Sequence, residues 1–226
     1  MAIAINGSGT ITGISVGGIP DGTVDEDALA TNAVANAKVA DDAVGVAELS
    51  ATGTASSSTF LRGDNAWAAP AGGMFSSYAK ICDKKAYNAN GGSFTSGAWR
   101  TRDLNHELWD PDGIVSISSN QFTLQAGTYY VTWDAPAFYV ARHSSQLYNV
   151  TDSSTVQIGQ VGYASQHLQD ASHHDSVGEA RFTISAAKAF EIQHRSTGSY
   201  TAGFGVGSNI SGVDSIFTTV TIWKEN

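Results

Sequence analysis

Between Val24 and Leu49 a branched aliphatic residue stands on every fifth position: Val24, Leu29, Val34, Val39, Val44 and Leu49. A five-residue period fits neither regular element. On an α-helix five residues turn about 500°, so successive aliphatics spiral around the surface. On a strand an odd spacing sends them to alternate faces. A single helix or strand with one buried face is therefore excluded for the segment as a whole. What remains is a run that turns at each repeat, as a narrow coil or β-helix-like run, or as several chains wound together. Energy favours several chains. One Val or Leu contributes at most about 2–3 kcal/mol on burial, whereas ordering five residues costs on the order of 5 kcal/mol or more. Small residues such as Ala28, Ala30, Ala33, Ala35, Ala40 and Ala43 would let copies approach closely. The six aliphatics are thus expected at a trimer interface. A flexible Ala/Gly/Ser linker is the alternative, but linkers rarely keep register over six repeats.

Composition changes near residue 74. Before it, Phe60 and Trp67 are the only aromatics; the remaining Tyr, Phe and Trp follow it. Only residues 74–226 can build a conventional core. Their strand signals come at short spacing: SSYAKICDK, QFTLQAGTYYVTWDAPAFYV, QLYNV, TVQIGQVGYA, ARFTI, AFEIQHR and SIFTTVTIWK. Turn chemistry separates them at Gln125-Ala126-Gly127, at Thr151–Ser154 and at Ser185–Lys188. No useful helical period interrupts this, so an antiparallel sandwich or jelly roll is expected. Two strands are apolar on both faces. Tyr129, Val131 and Trp133 oppose Tyr130; Phe217 and Trp223 oppose Ile216, Val220 and Ile222. A second apolar face implies self-association, with Tyr130, Phe217 and Trp223 at the interface.

The formal net charge of −9 disfavours nucleic acid and anionic membrane surfaces as partners. No apolar run is long enough for a membrane span or a signal peptide. The single cysteine, Cys82, excludes an internal disulfide and a CxxC zinc site. If strands alternate in direction and both ends of the 74–226 part lie toward the repeat segment, the connections 135–142, 163–179 and 196–214 are distal. Long loops are where binding tends to reside. His167, Asp170, Tyr200 and Phe204 are therefore the binding candidates. His173 and His174 could place imidazoles on a threefold axis and hold an axial metal ion; no other cofactor is expected. His143 and His194 read as structural histidines of the core, and Arg142 and Arg195 as partners for Glu179 or Glu191. No catalytic residues are assigned: GxSxG and HExxH are absent. Asp110, Asp112, Asp134 and Glu179 leave a polysaccharide depolymerase as the least favoured reading.

Two stretches carry a family resemblance. TASSSTFLRGDNAWAAPAGG, residues 54–73, resembles the shaft-to-head linker of bacteriophage tail fibres, with Asn65-Ala66 where Gly-Thr is usual. The Arg62-Gly63-Asp64 tripeptide is explained as part of that linker, not as a cell-attachment signal. QFTLQAGTYYVTWDAPAF, RHSSQLYNVTDSSTVQIGQ, RFTISAAKAFEIQHR and GFGVG resemble the C-terminal heads of such fibres, similar in plan to trimeric jelly rolls of the C1q and tumour necrosis factor type. The resemblance implies a mainly β, homotrimeric, non-enzymatic virion fibre. Residues 1–20 would attach to a phage tail or capsid protein, 21–51 form an intertwined shaft and 52–73 a Gly/Ser/Thr/Pro linker. The jelly-roll head, 74–226, would bind a bacterial surface glycan or protein. A head fibre on the capsid is the alternative placement.

Overall fold

The computed structural model describes residues 43–226 continuously and, before them, residues 4–5, 11–12, 18–19, 24, 29–31, 33–35 and 39–41. Most of the expected attachment segment, residues 1–20, lies outside the described residues. The chain divides into two units, Met1–Pro70 and Ala71–Asn226.

In the first unit β1 (Ala4–Ile5) pairs antiparallel with β2 (Ile11–Thr12). Ile19, Val24, Leu29, Val34, Val39, Val44 and Leu49 each occupy a backbone bend. Two turn hydrogen bonds recur ten residues apart: Ala33 N–H donates to Ala30 O at 2.9 Å and Ala43 N–H to Ala40 O at 3.1 Å. From Val24 to Val44 the five aliphatic side chains are 39–57% exposed. β3 (Phe60–Leu61) and β4 (Trp67–Ala68) then form a hairpin. Its turn carries Arg62, Gly63 and Asp64, closed by Arg62 N–H to Ala66 O at 2.9 Å. Asn65 sits at φ +60°, a conformation in which Gly is cheapest and Asn next. Its side-chain amide donates to Ser50 O at 2.7 Å.

The second unit is a two-sheet sandwich. One sheet holds β5 (Phe75–Lys85), β7 (His106–Trp109), β10 (Gly127–Phe138), β13 (His173–Ile184) and β15 (Ser215–Glu225), in the order β13-β10-β15-β5-β7. The other holds β8 (Val115–Ser118), β9 (Gln121–Leu124), β11 (Ala141–Asn149), β12 (Ser154–Ala164) and β14 (Lys188–Ser196), in the order β12-β11-β14-β9-β8, with β6 (Arg100–Thr101) on β14. The pairs β5–β15, β9–β14, β10–β13 and β11–β12 are all antiparallel. That nesting of first with last and middle with middle is a jelly roll, as the strand and turn signals predicted. Alternating residues fill the core between the sheets: Tyr129, Val131 and Trp133 of β10 meet Phe122, Leu124, Leu147, Phe190 and Ile192.

Alternation fails in one informative place. Phe217 and Thr218 lie between the register pairs Ile216–Lys84 and Thr219–Cys82, so two residues of β15 stand against Asp83 alone. This β-bulge shifts the strand's phase. Ile216 is turned outward, 44% exposed, while Phe217 is turned in, 6% exposed. Strict period 2 had placed Phe217 on the outer face with Trp223. The bulge buries it in its own subunit and removes it from the interface set.

Candidate functional site

The ends of the sandwich differ. At the near end Phe75 pairs with Glu225, and the short connections 125–126, 150–153 and 185–187 close the strands. At the far end lie the connections 139–140, 165–172 and 197–214, together with the 86–99 segment. Backbone hydrogen bonds bind these far-end segments together: Phe138 N–H to Gly203 O at 2.9 Å, Gly198 N–H to Val140 O at 2.8 Å, and a reciprocal Phe94–Tyr200 pair at 2.9 and 3.0 Å. A second small core of Phe94, Ala137, Val140, Ala164 and Phe204 lies beneath them.

Arg102 anchors this end from inside. Its side chain is fully buried, and no carboxylate of the described residues lies within ion-pair distance. Nε donates to Thr218 Oγ1 at 2.6 Å, Nη1 to Pro136 O at 3.0 Å and Nη2 to Phe204 O at 3.0 Å. The guanidinium also lies over the Phe204 ring, 4.1 Å from its centroid. Burial pulls its pKa down to about 9. The arginine thus holds β10, β15 and the 197–214 connection in one arrangement. No periodic signal marks it in the sequence, because it lies between β6 and β7 in irregular chain.

The expected binding residues separate into two groups. His167 and Asp170 meet at 3.7 Å across the short 3-10 turn Leu168–Asp170, both well exposed. Tyr200 is half-buried against Phe138 and Tyr139, with ring centroids 5.7 and 4.9 Å apart. Tyr139 was not anticipated, and its φ of +58° is unusual for a bulky residue. Phe204 is a correction. It is buried because Arg102 needs its face and its carbonyl, and Gly203 and Gly205 let the loop fold inward; a Cβ on Gly203 would sit 2.5 Å from Phe94 Cβ.

The metal candidates His173 and His174 do not share a face. β13 begins at His173, so His173 and His174 are consecutive strand residues with opposed side chains. His173 Nε2 accepts the Val206 N–H at 3.0 Å beside Phe138. The His174 ring instead packs edge-on to His143. Among the described residues no cluster of three His, Cys, Asp or Glu side chains could hold a metal. His143 and His194 are core residues, as read from their strand positions. His143 Nδ1 and His194 Nε2 share a hydrogen bond of 3.0 Å. Their outer nitrogens, His143 Nε2 and His194 Nδ1, have no hydrogen-bond partner in the structure. Burial holds both well below the usual imidazole range, His143 at about 4.

Of the four carboxylates weighed for catalysis, Asp110 accepts the Ile114 and Val115 N–H groups, and Asp112 accepts from Ser77 Oγ. Asp134 and Glu179 line one groove of about 510 Å³ with Gln157 and Gln160. Glu179 is already engaged by the Tyr130 hydroxyl. Burial, and then Asp175, raises the pKa of Asp134.

On the outer face of the five-stranded sheet the aromatics form a stripe. Tyr130 stands opposite Trp223, and Trp223 opposite Tyr78. Their centroids are 5.6 and 6.5 Å apart, and Trp109 extends the row 6.5 Å beyond Tyr78. Phe75 lies 6.4 Å from Tyr130 and 6.1 Å from Trp223. Phe75, Tyr78 and Trp109 remain 37–54% exposed.

No family model matches the chain, and no curated protein matches it by sequence. Its fold is similar to solved structures at low identity. The globular domain of zebrafish complement C1qA aligns at 13% identity, covering 66% of this chain and 99% of that one, with a TM-score of 0.41. Murine APRIL aligns at 6%, covering 66% and 98%, with a TM-score of 0.42. Eiger TNF from S. frugiperda aligns at 10%, covering 66% and 92%, with a TM-score of 0.44. The assignment to jelly rolls rests on the strand pairing above.

Proposed function

We propose that the chain is a homotrimeric virion fibre whose head binds a bacterial surface, through a glycan, during phage adsorption. The observation that carries the reading is that the single chain leaves two separate apolar surfaces uncovered. One is the row of aliphatics from Val24 to Val44; the other is the aromatic stripe from Tyr130 to Trp109. Exposed apolar surface organised in rows, not scattered singly, is what a subunit interface leaves on an isolated protomer. Three copies turned to a common axis would cover both rows. The linker and head resemblances supply the viral context, with residues 1–20 as the attachment to a tail or capsid protein. The far-end loops, His167, Asp170 and Tyr200 among them, are then the receptor-facing surface. In this reading the protein binds and does not cleave; release of reducing ends from a bound polysaccharide would instead make Asp134 and Glu179 catalytic.

Light scattering on the full chain is the test. A mass of three chains is expected, reduced toward one chain by Trp223→Lys, which places a charge in the middle of the stripe. A wild-type protein that stays monomeric at micromolar concentration overturns the proposal. The labelled wild-type chain should also adsorb to intact cells within a panel of bacteria.

A further inference from the structure

The outer face of the six-stranded sheet is the face of the sandwich opposite the aromatic stripe. Near its far end lies a pocket of about 300 Å³ lined by Trp99, Arg142, Ile158, Val161, Arg195 and Thr197. Arg142 and Arg195 come from neighbouring strands. Ser144 is the register partner of Arg195, and Arg142 lies two residues before Ser144 on the same face, with His143 between them turned into the core. The Arg142 backbone is fixed by its N–H to Thr197 Oγ1 at 3.1 Å and by Thr197 N–H to Arg142 O at 2.9 Å.

Some cations of the head are paired. Lys84, Lys85, Arg181 and Lys188 each meet a carboxylate. Lys80, Arg100 and Lys224, like Arg142 and Arg195, meet no carboxylate within 4 Å among the described residues. The carboxylates expected to pair with them are engaged elsewhere. Glu179 accepts from Tyr130, and Glu191 from Gln121 and Gln193. In a chain of net charge −9, two adjacent guanidinium groups are left free at the rim of a small pocket. Its other walls include the Trp99 ring and two exposed aliphatic side chains, Ile158 at 57% and Val161 at 73%.

From this geometry we infer that the pocket binds an acidic sugar unit, with its carboxylate or phosphate between Arg142 and Arg195 and its carbon face on Trp99 and Val161. Guanidinium forks match planar or tetrahedral oxyanions. A bare inorganic anion would leave the apolar walls unused, and a neutral sugar would leave the arginines unused. The volume admits one compact unit, at the lower end of small-ligand pockets. A nucleic acid is disfavoured, since its many phosphates would meet a net negative surface. The inference rests on the host-surface reading and gives its ligand a chemical class.

The experiment is ligand-observed NMR titration of the full chain with methyl glucuronide, glucose 6-phosphate and methyl glucoside. At least one acidic probe should bind roughly tenfold or more tightly than the neutral glucoside, and should weaken as salt rises. Which acidic probe binds identifies the oxyanion. Arg142→Gln and Arg195→Gln should each weaken the acidic probe by about tenfold, and Trp99→Ala should abolish saturation transfer to its ring protons. All three residues are at least partly exposed, and a melting curve for each variant checks that it folds. Equal binding of neutral and acidic probes, no binding of either acidic probe, or full affinity in both arginine variants overturns the inference. Cell adsorption separates the two levels. Adsorption retained in the double arginine variant, with no acidic-sugar binding, removes this inference and leaves the host-surface reading. Acidic-sugar binding without adsorption to any cell does the reverse.

Discussion

The two units treat apolar side chains in opposite ways. In the head, period-2 strands of one chain bring Phe122, Leu124, Tyr129, Val131 and Ile222 to 0% exposure. In the N-terminal unit, aliphatics at period 5 sit at bends and stay 39–57% exposed from Val24 to Val44. An even period gives one chain an inside and an outside, whereas a period of five gives it neither. In the proposed fibre the head can therefore be stable as a protomer, while the stem depends on other copies.

That contrast can be broken most severely at Arg102. Arg102→Met strands the Pro136 and Phe204 carbonyls and the Thr218 hydroxyl inside the head. It should cost on the order of 3 kcal/mol, read as a lower urea midpoint for the head transition with the N-terminal unit unaffected. An unchanged midpoint would show that the far end holds itself together without its buried cation.

The next largest effect is one of pH and belongs to the head alone. His143 and His194 stay neutral in the fold well below the unfolded histidine value of about 6.5, through burial first and then His174 and Arg102 for His143, and Arg102 and His143 for His194. Below pH 6.5 the unfolded chain gains protons that the folded chain refuses, so stability drops as pH falls from 6.5 toward 4. For His143 alone the loss is roughly 3 kcal/mol. Asp83 and Asp134, whose carboxyls burial raises, work in the opposite direction at the lower end. Urea midpoints of wild type and His143→Phe across this range isolate the histidine contribution; the variant should show a shallower slope.

The smallest effect on the head sharpens the comparison from the other side. Val34→Ser removes one aliphatic of the row and should leave the head transition within about 0.5 kcal/mol of wild type. It should instead speed proteolytic cleavage N-terminal to residue 70. Equal cleavage rates would mean that the row is not shielded by partners.

Much of the head was legible in the sequence because strands and turns are local. The alternation in GTYYVTWDA placed Tyr129, Val131 and Trp133 inside and Tyr130 outside. Residues missed or misplaced depend on contacts between distant segments. The bulge at Phe217–Thr218 exists only against Asp83, more than 130 positions away. Phe204 is internal because Arg102 reaches it across the same kind of distance. His173 and His174 read as loop residues, yet β13 claims them because β10 runs as far as Phe138 and supplies their partners. The Arg142–Arg195 pair is invisible in sequence for the same reason: it depends on β11 and β14 lying side by side.

The strand order of the five-stranded sheet also has a consequence for biosynthesis. β15 is a central strand, flanked by β10 and β5. A nascent chain that has emerged only as far as Gly212 has every other strand of the head but a gap in the middle of one sheet, with Trp133 and Ile81 lacking Val220, which stands between them. The five-stranded sheet can close only after residues through Glu225 have left the ribosome, and a nick just before this strand would leave β13-β10 and β5-β7 as two separate pieces of that sheet.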